Sequence, residues 1–386
     1  MQKSSFHPFF LFLFLFSLFY FDLYPPTTTA EKFINKEYNT MKFMTFNIRL
    51  DLGGEAYASA PPLPIKFQGE LPWSVRKWKV GDTVLMWEPD IEPLYHQVMD
   101  LDAMLCDEYA WVGAGRGDGQ KQGEFTPVFY KKKVLKVEEW QTVWLSEEPD
   151  KPGSVGWDAK HPRIATVITF SRLSDGSRFH VYNAHFDHEG PESRKGAAQV
   201  ILNHAREKKE LTILMGDFNS PEADGGYVTL TGGQSYEDNS LWRNIDELNQ
   251  KTQLKVATMT GSPVRTTEGM TLPTHRVIRP GQILQNLHQH QQEQNVFVDT
   301  RYALETVLTN QNARGSTMSG PYGDVNTFTS FGEPNVVAPV RLDYIMMMHH
   351  HPDSTTVRRF GVLSNMFDDQ LLISDHRPVV AVIDWY

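Results

Sequence analysis

The sequence lacks the devices that staple small exported proteins. It has one cysteine, Cys106, in 386 residues. No intramolecular disulfide can form, and no thiolate zinc site can be assembled. It holds no Asn-x-Ser/Thr acceptor for N-glycosylation. Positive charge is in deficit: 37 Lys and Arg against 47 Asp and Glu leave −10. That balance excludes a broadly basic surface for coating nucleic acid, though one local anion-binding cleft is compatible with it. No uninterrupted apolar run has the ~18 residues or more that a membrane-spanning helix needs. There is no internal repeat, so a repeat architecture is excluded.

What is present is ample core material. Apolar residues make up 40% of the chain, enough for a full interior and too many for a disordered chain. The N-terminus stands apart. Lys3 precedes a run from Phe9 to Phe21 that is apolar except for Ser17. Such a run suits the core of a secretory signal peptide, and Thr28 and Ala30 supply small residues for a cleavage site. Residues 1–30 are therefore expected to be a leader cleaved after Ala30 from a secreted protein, with an uncleaved anchor as the alternative. Without disulfides, the mature protein must draw its stability from its core. Cys106 lies in an apolar stretch and is expected to be buried there.

The remainder reads as one large α/β domain. Short runs rich in β-branched and aromatic residues, bounded by Gly, Pro, Asn and Asp, predict strands. They are Phe43–Leu50, Pro127–Lys131, Ile164–Ser171, Phe179–Phe186, Leu211–Phe218, Arg341–Met347 and Val379–Trp385. A helix is predicted over Glu192–Lys208, where Ala197, Val200, Ile201 and Ala205 form one stripe after Gly190 and Pro191. Many strands with few helices between them suggest stacked sheets with helices outside. Two stretches read as insertions: Leu52–Leu71, rich in Gly and Pro, and the polar Gly225–Asn295, which ends in a Gln/His tract from Leu284. That tract and His349–His351 read as solvated segments rather than metal sites, and Met346–Met348 as the end of a buried strand.

Polar residues concentrate at strand ends. Thr45–Asp51 delivers Asn47 and then Asp51. Val181–His188 places Asn183, His185 and Asp187 at alternate positions, hence on one strand face, where they are costly to bury unless used or solvated. In Leu214–Pro221, Gly216 lets the backbone turn and Asp217 and Asn219 follow; a carboxylate beside a carboxamide can align and deprotonate a water. Arg341–Met346 carries Asp343, and Ser374–Val379 carries Asp375 and His376.

With these five runs the chain resembles the endonuclease/exonuclease/phosphatase, or DNase-I-like, superfamily. The anchors are Asn47, Gly216-Asp217-Phe218-Asn219, Asp343 in the run Arg341–Ile345, and Ser374-Asp375-His376. Four further stretches, Trp111–Gly119, Gly123–Lys132, Trp144–Asp158 and Pro162–Thr166, resemble a branch of secreted or bacterial hydrolases. The resemblance covers 41–386, with the polar insertion at about 225–295. It implies a four-layer α/β sandwich, two packed β-sheets flanked by helices. It also implies a metal-dependent phosphoesterase that attacks a phosphate ester in line with an activated water, and a monomer with no stable membrane span.

The roles it implies fit the chemistry. A phosphate ester is anionic, so its charge must be neutralised and its nucleophile activated. Mg²⁺ or Mn²⁺ prefers oxygen ligands, and Asn47, Glu92 and Asp375 form the implied metal group. Asp217 is the candidate base, Asn219 holds phosphate or water, and His185 and His376 donate to phosphate oxygens. Asp343 would fix the tautomer of His376 and raise its pKa. Arg163 and Asn183 are the candidate substrate-binding residues, with a structural ion pair as the other reading of Arg163; Asp187 and His188 either line the cleft or close a turn. The substrate stays open among nucleic acid, which the charge does not favour, phospholipid head groups, inositol phosphates and small phosphates.

One corner departs from the pattern. In the family, a strand opening Pro-Asp-Ile runs about four residues further before reaching its Glu. Here Pro89-Asp90-Ile91 meets Glu92 directly, a deficit of about 13 Å at ~3.3 Å per residue. Either Val84–Glu88 is drawn in as strand, with Glu88 as the substitute ligand, or Glu92 sits away from the metal. The second case leaves an exported, non-catalytic protein with a degraded metal site as the alternative function.

Overall fold

The computed structural model describes residues 39–51, 69–87, 90–92, 95–233, 295–303, 322–332, 339–348 and 355–385. The strands are β1 (Asn39–Asn47), β2 (Asp90–Glu92), β3 (Tyr109–Val112), β4 (Val128–Lys131), β5 (Leu135–Trp144), β6 (Ile164–Arg172) and β7 (Arg178–Ala184). They continue as β8 (Thr212–Asp217), β9 (Val298–Asp299), β10 (Tyr322–Gly323), β11 (Asp343–Met348), β12 (Thr355–Val362) and β13 (Val379–Trp385). The helices are α1 (Trp73–Trp87), α2 (Tyr95–Leu105), α3 (Pro191–Arg206) and α4 (Gly225–Thr231). One sheet runs β10-β12-β13-β1-β2, a second runs β5-β6-β7-β8-β11-β9, and β3 and β4 pair as a ribbon.

Strand alternation sorts the apolar residues into three layers. Phe43 of β1, Val357 of β12 and Val379 of β13 pack against Ile168, Val181, Ile213 and Ile345 of the second sheet. The two sheets are therefore face to face. The alternate residues Met44 and Phe46 turn outward to Val80 and Val84 of α1 and Val98 and Leu101 of α2. On the other side Val167, Tyr182, Leu214 and Tyr344 meet Ala197, Ile201 and Ala205 of α3 and Leu230 of α4. The result is the expected four-layer α/β sandwich. Burial at ~25 cal/mol per Å² of apolar surface across three such layers substitutes for the missing disulfides.

The seven predicted strands and the predicted helix all form. Helix α3 starts at Pro191, and Asp158 accepts from the Ser193 amide at 2.7 Å, satisfying an N-terminal donor. Strands β5 and β12 were not predicted. In β5 the exposed edge carries Glu138, Glu139, Trp140 and Gln141, so the apolar alternation is diluted. Cys106 departs from expectation: it is exposed. Val98, Leu101 and Leu105 form the buried stripe of α2, and Cys106, ~100° further round, falls off it.

The polar insertion also begins later than expected. Gly225–Thr231 is helix α4, capped by Asp224, whose Oδ1 accepts from the Gly226 amide at 3.0 Å, and closed by Gly232 at φ 65°. Tyr227 and Leu230 are buried. The leader 1–30, the segment 52–68, the tract 284–294 and His349–His351 lie outside the described residues, as does Glu88.

The short corner departs from the first of the two expectations; the second turns on the Glu92 side chain, which lies outside what is described. Val84 stays in α1, and β2 is a three-residue strand. It pairs parallel to β1 with Thr45 opposite Asp90, Phe46 opposite Ile91 and Asn47 opposite Glu92. Among the described strands it stands last in its sheet, and Glu92 has its backbone level with Asn47.

The flanks of 234–294 are bonded to each other. The Phe297 amide donates to the Leu230 carbonyl at 2.9 Å, Arg206 Nε to the Asn295 carbonyl at 3.0 Å, and the Tyr227 hydroxyl to Asp299 at 3.1 Å. Replacing 234–294 by a Gly/Ser linker of about six residues is therefore expected to move Tm by less than ~4 °C, checked by calorimetry. Loss of the cooperative transition would show that the core needs the segment.

Candidate active site

The site forms where strands of both sheets end. Strand β8 runs parallel to β7 and antiparallel to β11, which sets Asp217 directly opposite Asp343. Gly216 makes the approach to β7 feasible. At φ 134°, a Cβ there would lie 1.9 Å from the Ala184 carbonyl oxygen, so only glycine fits. Two buried carboxylates thus face each other on adjacent strands.

The cation between them comes from the other sheet. His376 lies just before β13, with its amide on Ser374 Oγ at 3.1 Å. Its Nδ1 is 2.8 Å from Asp343 Oδ2 and its Nε2 is 3.6 Å from Asp217 Oδ2. Burial alone would lower its pKa, but Asp343 and then Asp217 outweigh that and raise it to about 10. Burial lifts the Asp217 carboxyl to about 6, against the pull of His376 and with the help of Asp343. Asp217 Oδ2 also accepts from Asn47 Nδ2 at 3.0 Å, and its Oδ1 from the Asn219 amide at 2.9 Å. Asn219 sits at φ 46°, with Nδ2 donating to the Phe186 carbonyl at 3.0 Å. The expected Asp343–His376 pair is therefore in place, and Asp217 is poised near neutrality, where a general base works best.

A cleft of about 480 Å³ opens over this floor, lined by Asn47, His185, Arg163, Asp217, Asn219, Asp375 and His376 among others. His185 Nε2 is 3.8 Å from Asp217 and Nδ1 is 3.7 Å from Glu124. Burial, with Arg163 and Arg116 nearby, pushes its pKa well below 6.5, so it offers one neutral N–H where His376 offers a charged one. Arg163 stands at the cleft and also makes the ion pair that was its other reading. It lines the cleft and pairs with buried Asp187 at 3.3 Å. It also donates to His188 Nδ1 at 2.9 Å. His188 lines the cleft, whereas Asp187 closes the turn into α3 by accepting from the Glu189 and Gly190 amides at 2.9 and 2.8 Å.

Asn183 is the expected substrate residue that the structure does not bring to the cleft. It is fully buried on β7, faces between the sheets, and donates to the Pro127 carbonyl at 2.9 Å. The alternation that grouped it with His185 and Asp187 ends with β7 at Ala184, so the three side chains part company.

Four polar lining residues were not singled out in the sequence: Arg49, Arg116, Glu124 and His161. Arg49 is two residues past Asn47 and strained at φ 62°. Its amide donates to Asn47 Oδ1 at 2.9 Å, and its guanidinium lies 3.1 Å from Glu70 and 3.5 Å from Asp375. Arg116 forks onto Glu124 at 2.7 and 3.0 Å. A glycine-rich loop brings that pair together: Asp118 Oδ1 accepts from the amides of Gln120 and Gln122, at 2.8 and 2.9 Å. The available signal was a charged residue inside each of two family-like stretches, but a pairing eight residues apart through a loop has no periodicity to reveal it.

The donor set suits a hard cation. Asn47 and Asp375 line the cleft, and the backbone of Glu92 is level with Asn47 in the sheet; carboxamide and carboxylate oxygens are the ligand type that a hard divalent cation prefers. The ligand atoms of Asp217, Asp343 and His376 also lie within 4.8 Å of one another, a spacing that a cation can bridge. Held as an imidazolium, His376 has no lone pair to give a metal and the trio can handle protons; as a neutral imidazole it could ligate one.

No protein-family model matches the chain, and no curated protein sequence matches it. Solved structures do. An endonuclease/exonuclease/phosphatase from Bacteroides vulgatus is 24% identical with a TM-score of 0.61, over 90% of this chain and 99% of that one. An endonuclease/exonuclease/phosphatase family protein from Bacteroides thetaiotaomicron is 21% identical with a TM-score of 0.59, over 91% and 96%. A mannosyl-6-phosphatase from the same organism is 22% identical with a TM-score of 0.58, over 89% and 99%.

The His376 pKa has a sign that can be checked. A pKa raised to about 10 means stability fully present below the unfolded value of about 6.5 and lost as pH rises through the folded one. Asp343→Asn removes the largest stabilising charge, so the alkaline limb of activity is expected to fall by about 1–3 pH units. Adding His376→Ala to Asp343→Asn is expected to lower turnover little beyond His376→Ala alone. An unmoved alkaline limb, or additive losses, would contradict the coupling.

Proposed function

We propose, from the DNase-I-like fold that this chain shares with the endonuclease/exonuclease/phosphatase proteins, that it is a divalent-metal-dependent phosphoesterase acting on a small phosphate monoester. The observation that carries the activity is the buried Asp343–His376–Asp217 relay at the floor of a cleft that also presents Asn47 and Asp375. Mg²⁺ or Mn²⁺ on Asn47, Asp375 and Glu92 would neutralise phosphate charge there. Asp217 takes a proton from the attacking water as the water oxygen bonds to phosphorus; the bond to the alcohol oxygen breaks, and the departing alkoxide takes a proton from solvent. His376 donates its Nε2 proton as a hydrogen bond to an oxygen that gains charge, and the neutral His185 adds a second donor. Arg163 and Arg49 hold the phosphate by charge.

The cleft supports a small substrate. About 480 Å³ is ample for a small molecule, and a net charge of −10 gives a polyanion no long-range attraction. On the wall beyond the phosphate, Glu124 can accept from hydroxyl groups and Arg116 can donate to them, which favours a hydroxylated alcohol as leaving group. The mannosyl-6-phosphatase among the similar structures supports that class. The backbone register of Glu92 opposite Asn47 supports the catalytic reading over a non-catalytic protein of the same fold.

Purified protein should hydrolyse mannose 6-phosphate with Mg²⁺ or Mn²⁺ and stop in EDTA. Its kcat/KM should exceed that for bis(p-nitrophenyl) phosphate or single-stranded DNA by about tenfold or more, the scale of a 1.4 kcal/mol difference. Asp217→Asn and His376→Gln should each lower kcat by about 10²–10⁴-fold. Full activity after exhaustive chelation would end the metal reading, and a preference for the diester or DNA would end the substrate reading. We also propose export through residues 1–30; sequencing the secreted protein should find a new N-terminus at Glu31, and recovery of cytosolic protein with intact Met1 would refute it.

A further inference from the structure

Helix α1 buries a guanidinium that the reaction does not use. Arg76 is 1% exposed. Its Nη1 donates to the Ile48 carbonyl at 2.8 Å and to the Ile373 carbonyl at 2.7 Å, and its Nε donates to the Leu71 carbonyl at 2.7 Å. The Trp73 and Phe331 rings stand 5.7 and 5.9 Å from it. No carboxylate is hydrogen-bonded to it in these contacts. Asp375, Glu70 and Asp51 compensate its charge from further off, and burial lowers its pKa to about 10. A charge buried on backbone carbonyls is an expensive way to fill a core, so its placement calls for a reason beyond packing.

The two carbonyls on Nη1 supply that reason. Ile48 follows Asn47, and Ile373 precedes Ser374-Asp375-His376. These segments come from opposite ends of the chain, and they carry the implied metal group and the relay histidine. One nitrogen therefore fixes the distance between them. A second tie runs parallel: Ser374 Oγ donates to the Asn47 carbonyl at 2.6 Å. Lysine cannot reproduce the arrangement, because its single nitrogen cannot reach three carbonyls in the planes that the guanidinium fork serves.

We propose that Arg76 is a positioning residue, which sets Asn47 against Asp375 and His376 by bridging the Ile48 and Ile373 carbonyls. Its effect is on the geometry of the reacting groups, not on substrate affinity. A misplacement on the order of 1 Å at such a site costs about 10²-fold in rate.

The test compares Arg76→Lys and Arg76→Gln with Val84→Ala, a buried α1 residue whose side chain has no donor for either carbonyl. The two Arg76 variants differ in charge and reach, so one that folds is enough. Well below its Tm, an Arg76 variant is expected to lose about 10–100-fold in kcat with KM changed less than about twofold. Amide exchange is expected to quicken about tenfold in 45–51 and 372–377 and to stay unchanged in β6 and β7. Val84→Ala is expected to lower Tm while leaving kcat and exchange in those two segments as in the wild type. Arg76 variants that lose only Tm, as Val84→Ala does, would overturn the proposal. The kinetic arm rests on the phosphoesterase reading: a wild type that hydrolyses no phosphate ester would defeat that reading, and the exchange arm would still decide the role of Arg76.

Discussion

Two carboxylates placed face to face in a dry sheet cannot both be ionised without a cation between them. Strands β8 and β11 impose that pairing on Asp217 and Asp343, both almost inaccessible to solvent. His376 answers it from the opposite sheet, and one imidazolium therefore links the two layers at the mouth of the cleft. The geometry of the site follows: Asn47, on the same sheet as His376, is brought within 3.0 Å of Asp217. Removing one partner from such a buried set typically costs about 3–5 kcal/mol. The trio is thus part of the fold's stability.

The same solution recurs next to it. Arg341, two residues before Asp343, lies between Asp299 at 2.7 and 2.9 Å and Glu222 at 2.6 Å. It sits over the Tyr344 ring at 4.4 Å. Tyr302 donates to Glu222 and Tyr227 donates to Asp299. Burial holds these tyrosine hydroxyls protonated, well above 10, so they remain donors. The short run Arg341–Tyr344 therefore has its Arg anchoring the strand entry, its Asp facing the site and its Tyr filling the layer against α3 and α4.

Strand runs bounded by turn residues were legible because the alternation of Phe43, Met44 and Thr45 or Ile345 and Met346 directly encodes which layer each side chain meets. The relay residues were legible because five polar groups at five strand ends are improbable unless used. Arg76 and Arg49 were not, since nothing in a linear reading of α1 reports a carbonyl at residue 373. Asn183 misled for the complementary reason: period-two spacing holds only while the strand lasts, and β7 stops before His185. Cys106 misled because an apolar neighbourhood in sequence is not an apolar face on a helix.

The short strand β2 shows how tertiary contacts can stand in for missing length. Three paired residues alone would fix a register weakly. Helix α2 reinforces it from beyond the strand. Gln97 Nε2 donates to the Arg49 carbonyl at 3.0 Å, its Oε1 accepts from the Asp51 amide at 3.2 Å, and His96 lies 3.0 Å from Asp51. Those bonds join the start of α2 to the loop that leaves β1, the same two elements that β2 connects in the sheet. Trp73 adds a bond from α1 to Asp100 of α2 at 2.8 Å, so the helices flanking β2 in sequence are tied to each other as well. A slip of one residue at β2 would have to break the side-chain contacts of Gln97 and His96 in addition to the ladder. The contacts that reinforce Glu92 opposite Asn47 therefore lie mostly outside the strand.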